Sequence, residues 1–212
     1  MGAFLGILLS IFLNQAEAKP LTKQEYKIVL NKAIESLPEP AQEYAKDISK
    51  NLKVRIAEMS IYPTALSVGV LARCQKGVGV CGGMQTNIGI ENNAIKYSVY
   101  DMYGITAGMA EQYKIEFFVA ACFGDCLSYS ASGAFASWET GASIGVGAST
   151  FVEVGTDLSD WFGLTQDPPS LKKLLEYGTV YLGFGYNIGV GVGTSGTLYY
   201  YRHLYDETIP LN

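Results

Sequence analysis

Residues 84–101 of the chain read MQTNIGIENNAIKYSVYD. Apolar and polar residues alternate on both sides of Asn92-Asn93, and a two-residue turn there pairs Ile90 with Ile95. In this pairing the apolar side chains of both runs lie on one face. Asparagine tolerates the positive φ angles that a type I′ turn requires. The stretch therefore predicts a β-hairpin with one strand on each side of the two asparagines.

The same alternation recurs from about residue 64 to residue 205, interrupted by short runs of turn residues. Five further turns are predicted, at 75–77, 110–112, 123–125, 140–141 and 194–196. The strands they delimit are 64–74, 78–91, 94–109, 113–122, 126–139, 142–154, 179–193 and 197–205. The sequence thus predicts a mainly β protein with an eight-stranded antiparallel meander. We expect a closed or nearly closed barrel, preceded by two amphipathic helices.

The predicted helices lie in residues 19–60, which contain no glycine and place apolar residues at intervals of three and four. Thr22 and Glu25 have the spacing of a capping box at the start of the first helix. The prolines of Pro38-Glu39-Pro40 separate it from a second helix, whose apolar stripe runs from Ala41 to Met59. Such a stripe usually faces a protein core.

Residues 1–18 have the pattern of a secretory signal peptide. An apolar run from Ala3 to Leu13 is followed by Ala16-Glu17-Ala18, and the run is too short to cross a bilayer as a helix. The domain organisation expected is therefore a signal peptide at 1–18, a helical N-terminal segment at 19–60 and a β-meander domain at 61–212. This predicts a secreted or extracellular protein, with the bacterial outer membrane as the alternative location.

The four cysteines flank two of the predicted turns. In an exported chain an even number of nearby cysteines indicates disulfides, here Cys74–Cys81 and Cys122–Cys126. Continuing the first pairing along its strands requires a β-bulge at Gly82-Gly83 to keep the apolar face intact. A zinc site fits the spacing poorly. We expect no metal and no cofactor.

The choice between a secreted β-sheet protein and a membrane barrel depends on which face of the sheet is buried. One face is aliphatic and aromatic, with Val68, Val70, Ile88, Ile90, Val99, Ile105, Phe117, Val119, Val146, Val152, Leu182, Phe184, Ile188 and Val190. The other is small and weakly polar, with Ser67, Gly69, Gly89, Ser98, Gly104, Gly108, Ser143, Gly145, Gly147, Gly183, Gly185, Asn187, Gly189 and Gly191. Over about residues 64–205 this pattern resembles that of eight-stranded outer-membrane barrels, in which the aliphatic face meets lipid. The resemblance includes no specific motif and assigns no functional residue.

Two charged residues favour the opposite orientation. Asp101 and Arg202 lie on the aliphatic face by the pairing of positions, and lipid exposure would cost on the order of 2–4 kcal/mol for the arginine. In an aliphatic interior they would form a buried ion pair, which requires them to lie within about 8 Å of each other. The predicted turns are also short, whereas outer-membrane barrels have long loops on one side.

Catalysis and nucleic-acid binding find little support in the sequence. The formal net charge of −5 and the pI near 4.9 give no basic surface for nucleic acid. His203 is the only histidine. Residues 141–145 match G-x-S-x-G and residues 191–196 match G-x-G-x-x-G, but both join strands and open no helix. No catalytic residue is predicted.

These observations predict a secreted, non-enzymatic β-sheet protein with a binding or structural role and an unidentified ligand or protein partner. The alternative is an outer-membrane or pore-forming β-barrel protein, for which the partner is a membrane.

Overall fold

A computed structural model describes residues 19–46, 49, 62–127, 131–156 and 179–211. The predicted signal peptide at 1–18 lies outside the described residues, as does most of the second predicted helix beyond residue 46. The described chain is mainly β, as predicted, with helices before the sheet.

Helix α1 spans Lys23–Glu35 and begins with the predicted capping box. Glu25 N donates to Thr22 Oγ1 at 3.2 Å, and Thr22 N donates to Glu25 Oε2 at 2.6 Å. These bonds satisfy two backbone N–H groups that a helix start otherwise leaves unpaired. A second helix, α2, begins at residue 39, directly after Pro38, and its described part runs to residue 46.

The sheet consists of four long antiparallel stretches. They are β1, Ala65–Glu91; β2, Ala94–Gly124; β3, Gly133–Thr156; and β4, Thr179–Pro210. Their order in the sheet is β1-β2-β4-β3, so β2 pairs with β4 rather than with the next stretch along the chain. The turn at Asn92-Asn93 is confirmed, with φ angles of 51° and 60° and with Ile90 paired to Ile95.

Two of the stretches fold back on themselves. In β1 the reversal lies near Gly77, whose φ is 75°, and Ser67 Oγ donates to Asn87 Oδ1 at 2.6 Å across it. In β3 the backbone of Gly141 packs against Ala148 and Ser149, with Gly145 (φ 82°) between them. Counting each half separately gives one antiparallel sheet of six strands, closed by a ring of hydrogen bonds. We call the level of these two reversals the fold-back end.

The predicted eight-stranded meander is therefore wrong. β2 runs without interruption through the predicted turn at 110–112, and β4 runs through the one at 194–196. The strand after the 123–125 loop pairs with β4 and not with the strand before the loop. These local hairpins are replaced by long-range pairs such as Phe117 with Tyr186, which place apolar residues on one face equally well.

The orientation of the sheet is also opposite to the expected one, in which the aliphatic face forms the interior. Buried positions on β1 include Arg73, Gln75, Gln85 and Asn87, whereas Val78 is 71% exposed. The glycine-rich, polar face thus points inward, and the aliphatic face points outward. Small residues inside leave room for large side chains from the opposite wall.

The helices cover one part of the outward aliphatic face. Tyr26, Val29, Leu30, Ala33 and Ile34 of α1 belong to the same hydrophobic cluster as outward residues of the sheet. Those sheet residues are Leu66, Val68, Ile88, Ile95, Ala121 and Phe123, with Ile90, Tyr97, Phe117, Val119, Leu182 and Tyr186 partly buried beside them. We call these twelve residues the concealed band.

Replacing Gly83 with alanine tests the close approach of the two halves of β1. A Cβ atom on Gly83 would overlap the Val70 carbonyl oxygen, so we expect a loss of about 1–3 kcal/mol in the free energy of unfolding. Its neighbour Gly82 is the control, because a Cβ there meets only Met102 O, at 3.5 Å. Urea denaturation of the two variants measures the difference. Equal stability of Gly83→Ala and Gly82→Ala would contradict the fold-back of β1.

Candidate functional site

The inner face carries a cluster of four charged side chains from three stretches of the sheet. Arg73 comes from β1, Lys114 and Glu116 come from β2, and Glu139 comes from β3. Their side chains are at most 3% exposed. Two cations and two carboxylates make the cluster formally neutral, which is the condition under which buried charges are tolerated.

Short ion pairs connect the four members of this inner cluster. Glu139 accepts a hydrogen bond from Lys114 and forms an ion pair with Arg73. The carboxylate of Glu116 lies 3.2 Å from Lys114 Nζ and 3.8 Å from Arg73 Nε. Because each cation contacts both carboxylates, removal of one member leaves an unbalanced charge in a place that water does not reach.

Neutral hydrogen-bond donors and acceptors surround the inner cluster. Ser149 Oγ donates to Glu116 Oε1 at 2.8 Å. Arg73 donates to Thr197 Oγ1 at 3.1 Å and to Tyr199 Oη at 2.7 Å, and its guanidinium carbon lies 5.9 Å from the Tyr199 ring centroid. The residual void beside the cluster has a volume of about 10 Å³. This space is at most that of a single water molecule, so no substrate fits in it.

A second inner network lies further from the fold-back end and is centred on Asn87. Its Nδ2 donates to Cys126 O at 2.6 Å and to Tyr181 Oη at 2.9 Å, and its Oδ1 accepts from Gln85 Nε2 at 2.8 Å. Cys126 is disulfide-bonded to Cys122 as predicted. The disulfide loop therefore supplies a backbone acceptor to the inner face.

The other predicted disulfide is wrong, because Cys74 and Cys81 are both free. Paired residues in a hairpin have a constant sum of residue numbers. This sum is 154 for the Ser67–Asn87 contact and would have to be 155 for Cys74 to face Cys81. A shift by one residue places the two thiols on opposite faces. Accordingly, Cys74 is exposed and Cys81 is buried. The pairing of β1 with β2 is irregular between Lys76 and Val78, next to the reversal of β1. The bulge at Gly82-Gly83 concerns the pairing of the two halves of β1 and stays a prediction.

The outer face near the fold-back end carries a continuous set of exposed apolar side chains. All of them alternate with inward-facing residues, and each is at least 45% exposed. They are Val78, Val80, Met84, Tyr103, Ile105, Tyr113, Ile115, Trp138, Ile144, Val146, Ile188, Val190, Val192 and Tyr200. We call them the exposed belt. Monomeric proteins in water rarely leave an apolar patch of this extent uncovered.

Charged residues mark the two borders of the exposed belt. At the fold-back end Lys76 Nζ lies 3.7 Å from Glu111 Oε1, and both side chains are exposed. At the other border Arg202 Nε lies 3.1 Å from both carboxylate oxygens of Asp101. Among the residues that the structure describes, no Lys, Arg, Asp or Glu side chain lies on the outer face between these borders.

The Asp101–Arg202 contact differs from the expected buried pair in one respect. The Asp101 side chain is only 12% exposed, but that of Arg202 is 62% exposed. Tyr103 Oη also donates to Asp101 Oδ2 at 2.9 Å. The two residues are direct cross-strand neighbours, as are Tyr103 and Tyr200. The pair is thus a surface feature at the border of the belt.

The remaining sequence candidates are placed as follows. His203 Nε2 lies 2.9 Å from Asp206 Oδ1, and its ring contacts Tyr100. Both glycine motifs, at 141–145 and 191–196, lie within continuous β structure. No group of three or more side chains in the described ranges is arranged to hold a metal ion.

The inner cluster is the feature that sequence reasoning missed. A signal for it was present, because Lys114 and Glu116 alternate with Tyr113 and Ile115 and so must lie on the face opposite to them. Four charges on the glycine-rich face indicate a polar interior.

Comparison with known proteins gives no relative for this chain. It matches no protein-family model, no curated protein and no solved structure. Within the described part of the chain, none of the helices has the length and apolar character needed to traverse a lipid bilayer. The disulfide fits an extracellular or periplasmic location.

Proposed function

We propose that the ring of strands is a closed β-barrel that inserts its exposed belt into the acyl-chain region of a lipid bilayer. The protein would be a membrane-inserted structural or binding protein, without a catalytic reaction. Export through a signal peptide, proposed on the sequence alone, would bring it to such a membrane, and its disulfide fits an extracellular or periplasmic compartment.

The observation that carries this proposal is the sorting of charge between the two faces. Five acidic or basic side chains, those of the inner cluster and Glu153, are buried inside, whereas the described outer face has none between the Lys76–Glu111 and Asp101–Arg202 pairs. A protein that faces water on its outside has the opposite distribution. Apolar outward and polar inward residues are what a barrel needs when its surroundings are lipid.

The tyrosines at one border of the exposed belt agree with this orientation. Tyr103 and Tyr200 lie beside the Asp101–Arg202 pair, at one border of the belt. Aromatic side chains with a polar group prefer the interface between acyl chains and water. The expectation that a charged pair would exclude lipid contact therefore loses its force, because the pair lies at the border and not in the middle of the exposed belt.

The packing of the inner face supports an inserted scaffold more than an open pore. Arg73, Lys114, Glu116 and Glu139 reach across the interior and contact each other. The void beside them measures about 10 Å³, and ion or solute passage would require their separation. We therefore propose no conduction through this protein.

Lysine substitutions in the exposed belt test the proposal. Ile105→Lys and Val190→Lys, made separately, place a charge where the described outer face has none; the wild-type side chains are 64% and 58% exposed. A lysine in the acyl-chain region costs about 2–4 kcal/mol, so we expect at least a tenfold loss of binding to phospholipid vesicles. Flotation of the full chain with vesicles measures the bound fraction.

Leu204→Lys is the matched control. Leu204 is 40% exposed and lies beyond Arg202, outside the belt, so its replacement should leave vesicle binding within about threefold of wild type. Circular dichroism of all three variants checks that the fold is retained. A wild-type protein that stays in the aqueous fraction, or equal binding by all three variants, would refute membrane insertion through this belt.

A further inference from the structure

The exposed belt is short for a bilayer. On β1 its outward residues run from Val78 to Met84, seven residues, which is about 16 Å of height for a strand tilted by 45°. Outer-membrane barrels present an apolar band about 25 Å high. The exposed part of β1 therefore covers only about two thirds of the height that the acyl chains require.

The outward apolar face does not end at Met84. It continues through Ile88 and Ile90, which belong to the concealed band and lie beside the helices. From Val78 to Ile90 there are thirteen residues, or about 30 Å at the same tilt. This length matches the hydrocarbon thickness of a bilayer. The concealed band thus continues the exposed belt in the direction away from the fold-back end, on the strands that the helices cover.

The helices that cover the concealed band are suited to a second location. The buried residues of α1 form one apolar face, and Lys23, Lys27 and Lys32 lie among the exposed positions. Amphipathic helices with lysines on the polar face bind in the interface of a membrane. Removal of α1 from the sheet in a bilayer would leave both apolar surfaces in contact with lipid instead of water.

We propose that the concealed band is a second lipid-contact surface, which the bilayer reaches when acyl chains displace α1 and α2. This inference rests on the proposed membrane insertion. In water the helices shield the band, and the exposed belt makes the first contact with lipid. In the membrane, acyl chains replace the helices on the sheet, and the band adds its apolar area to that of the belt. The Asp101–Arg202 pair then lies between band and belt, because Asp101 is paired with Met84, and its two charges stay paired with each other.

A covalent bridge between α2 and the sheet tests the displacement. The rings of Tyr44 and Tyr186 have their centroids 5.4 Å apart, so cysteines at both positions are within reach of a short bis-maleimide. The variant is Tyr44→Cys, Tyr186→Cys and Cys74→Ser, the last because Cys74 is exposed and would react. The control is the same triple variant with both cysteines capped by N-ethylmaleimide, so that only the bridge differs.

The readout uses vesicles of phosphatidylcholine and phosphatidylglycerol whose acyl chains carry a photoactivatable group. Mass spectrometry measures lipid attachment to peptides of the exposed belt, around Ile144, and of the concealed band, around Leu66 and Phe123. In the capped protein we expect both regions to be labelled. In the bridged protein we expect labelling of the concealed band to fall at least tenfold, with labelling around Ile144 unchanged within about twofold.

Other outcomes separate the two proposals. Labelling of the exposed belt alone in the capped protein would overturn displacement and leave membrane insertion intact. Equal labelling of the concealed band with and without the bridge would also overturn it. Absence of both proteins from the floated fraction would refute membrane insertion itself. Leu30→Ala loosens the contact of α1 with the sheet and should have the opposite effect to the bridge. We expect it to increase lipid labelling around Leu66.

Discussion

Replacement of Arg73 with methionine should lower the free energy of unfolding by about 3–5 kcal/mol. Arg73 contacts Glu116 and Glu139 and donates to Tyr199, and its side chain is 2% exposed. Methionine fills a similar volume but carries no charge, so Lys114 alone faces two buried carboxylates. The net charge left inside is the cause of the loss, because it can be neither solvated nor paired.

The matched control for Arg73→Met is Lys76→Met, three residues away on the same strand. Lys76 also forms an ion pair, at 3.7 Å from Glu111, but its side chain is 76% exposed. Exposed pairs contribute about 0–1 kcal/mol, so this variant should remain close to wild type. Urea denaturation in detergent micelles, followed by circular dichroism, measures both. A difference of less than 1 kcal/mol between them would show that the inner cluster is not buried.

Replacement of Phe135 with alanine should lower the free energy of unfolding by about 3–5 kcal/mol. The ring of Phe135 is buried on the inner face, 4.6 Å from that of Tyr201 and 5.7 Å from that of Tyr181 (centroid distances). Neither neighbour can move into the space without losing its own hydrogen bond, since Tyr201 Oη donates to Glu153 Oε1 and Tyr181 Oη accepts from Asn87. A cavity therefore remains.

Trp138→Ala is the comparison that tests the orientation of the sheet. Trp138 lies on the same strand as Phe135 but faces outward, and 45% of it is exposed. Its removal should change stability in micelles by less than about 1 kcal/mol while weakening vesicle binding, because it removes apolar area from the exposed belt. The same two measurements on Phe135→Ala should give the opposite result. If Trp138→Ala were the more destabilising variant, the assignment of inner and outer faces would be incorrect.

The features that the sequence predicted correctly are local ones. The turn at Asn92-Asn93 and the capping box of Thr22 and Glu25 depend on residues at most a few positions apart, and so does the Cys122–Cys126 bridge. In each case the side chains themselves restrict the backbone to one conformation. Such signals do not depend on the rest of the fold.

The long-range pairing could not be derived in the same way. Alternation from residue 94 to residue 124 permits a hairpin at 110–112, but it equally permits one continuous strand. Pairing of β2 with β4 places Ile105 beside Leu198 and leaves the outward face just as apolar as the predicted hairpin would. Alternation determines which residues share a face and leaves the partner strand open.

The orientation of the faces required information on charge that the sequence did contain. Asp101 and Arg202 suggested an aliphatic interior, but Lys114, Glu116 and Glu139 lie on the glycine-rich face and outnumber them. Their mutual neutralisation became visible only when the pairing brought β1, β2 and β3 around one interior. Counting charges on each face along all the strands would have favoured the orientation that the structure shows.

The strand order also constrains the sequence of events during folding. Ile95 pairs with Ile209, 114 positions later, so the pairing of β2 with β4 cannot be completed until nearly all of the described chain is present. Contacts of such large separation close slowly, and unpaired apolar strands associate with other chains in the meantime. Because α1 precedes the sheet, a newly synthesised β1–β2 hairpin is already attached to the helix that covers its most apolar segment. This helix can protect the segment from association with other chains before β3 and β4 are present.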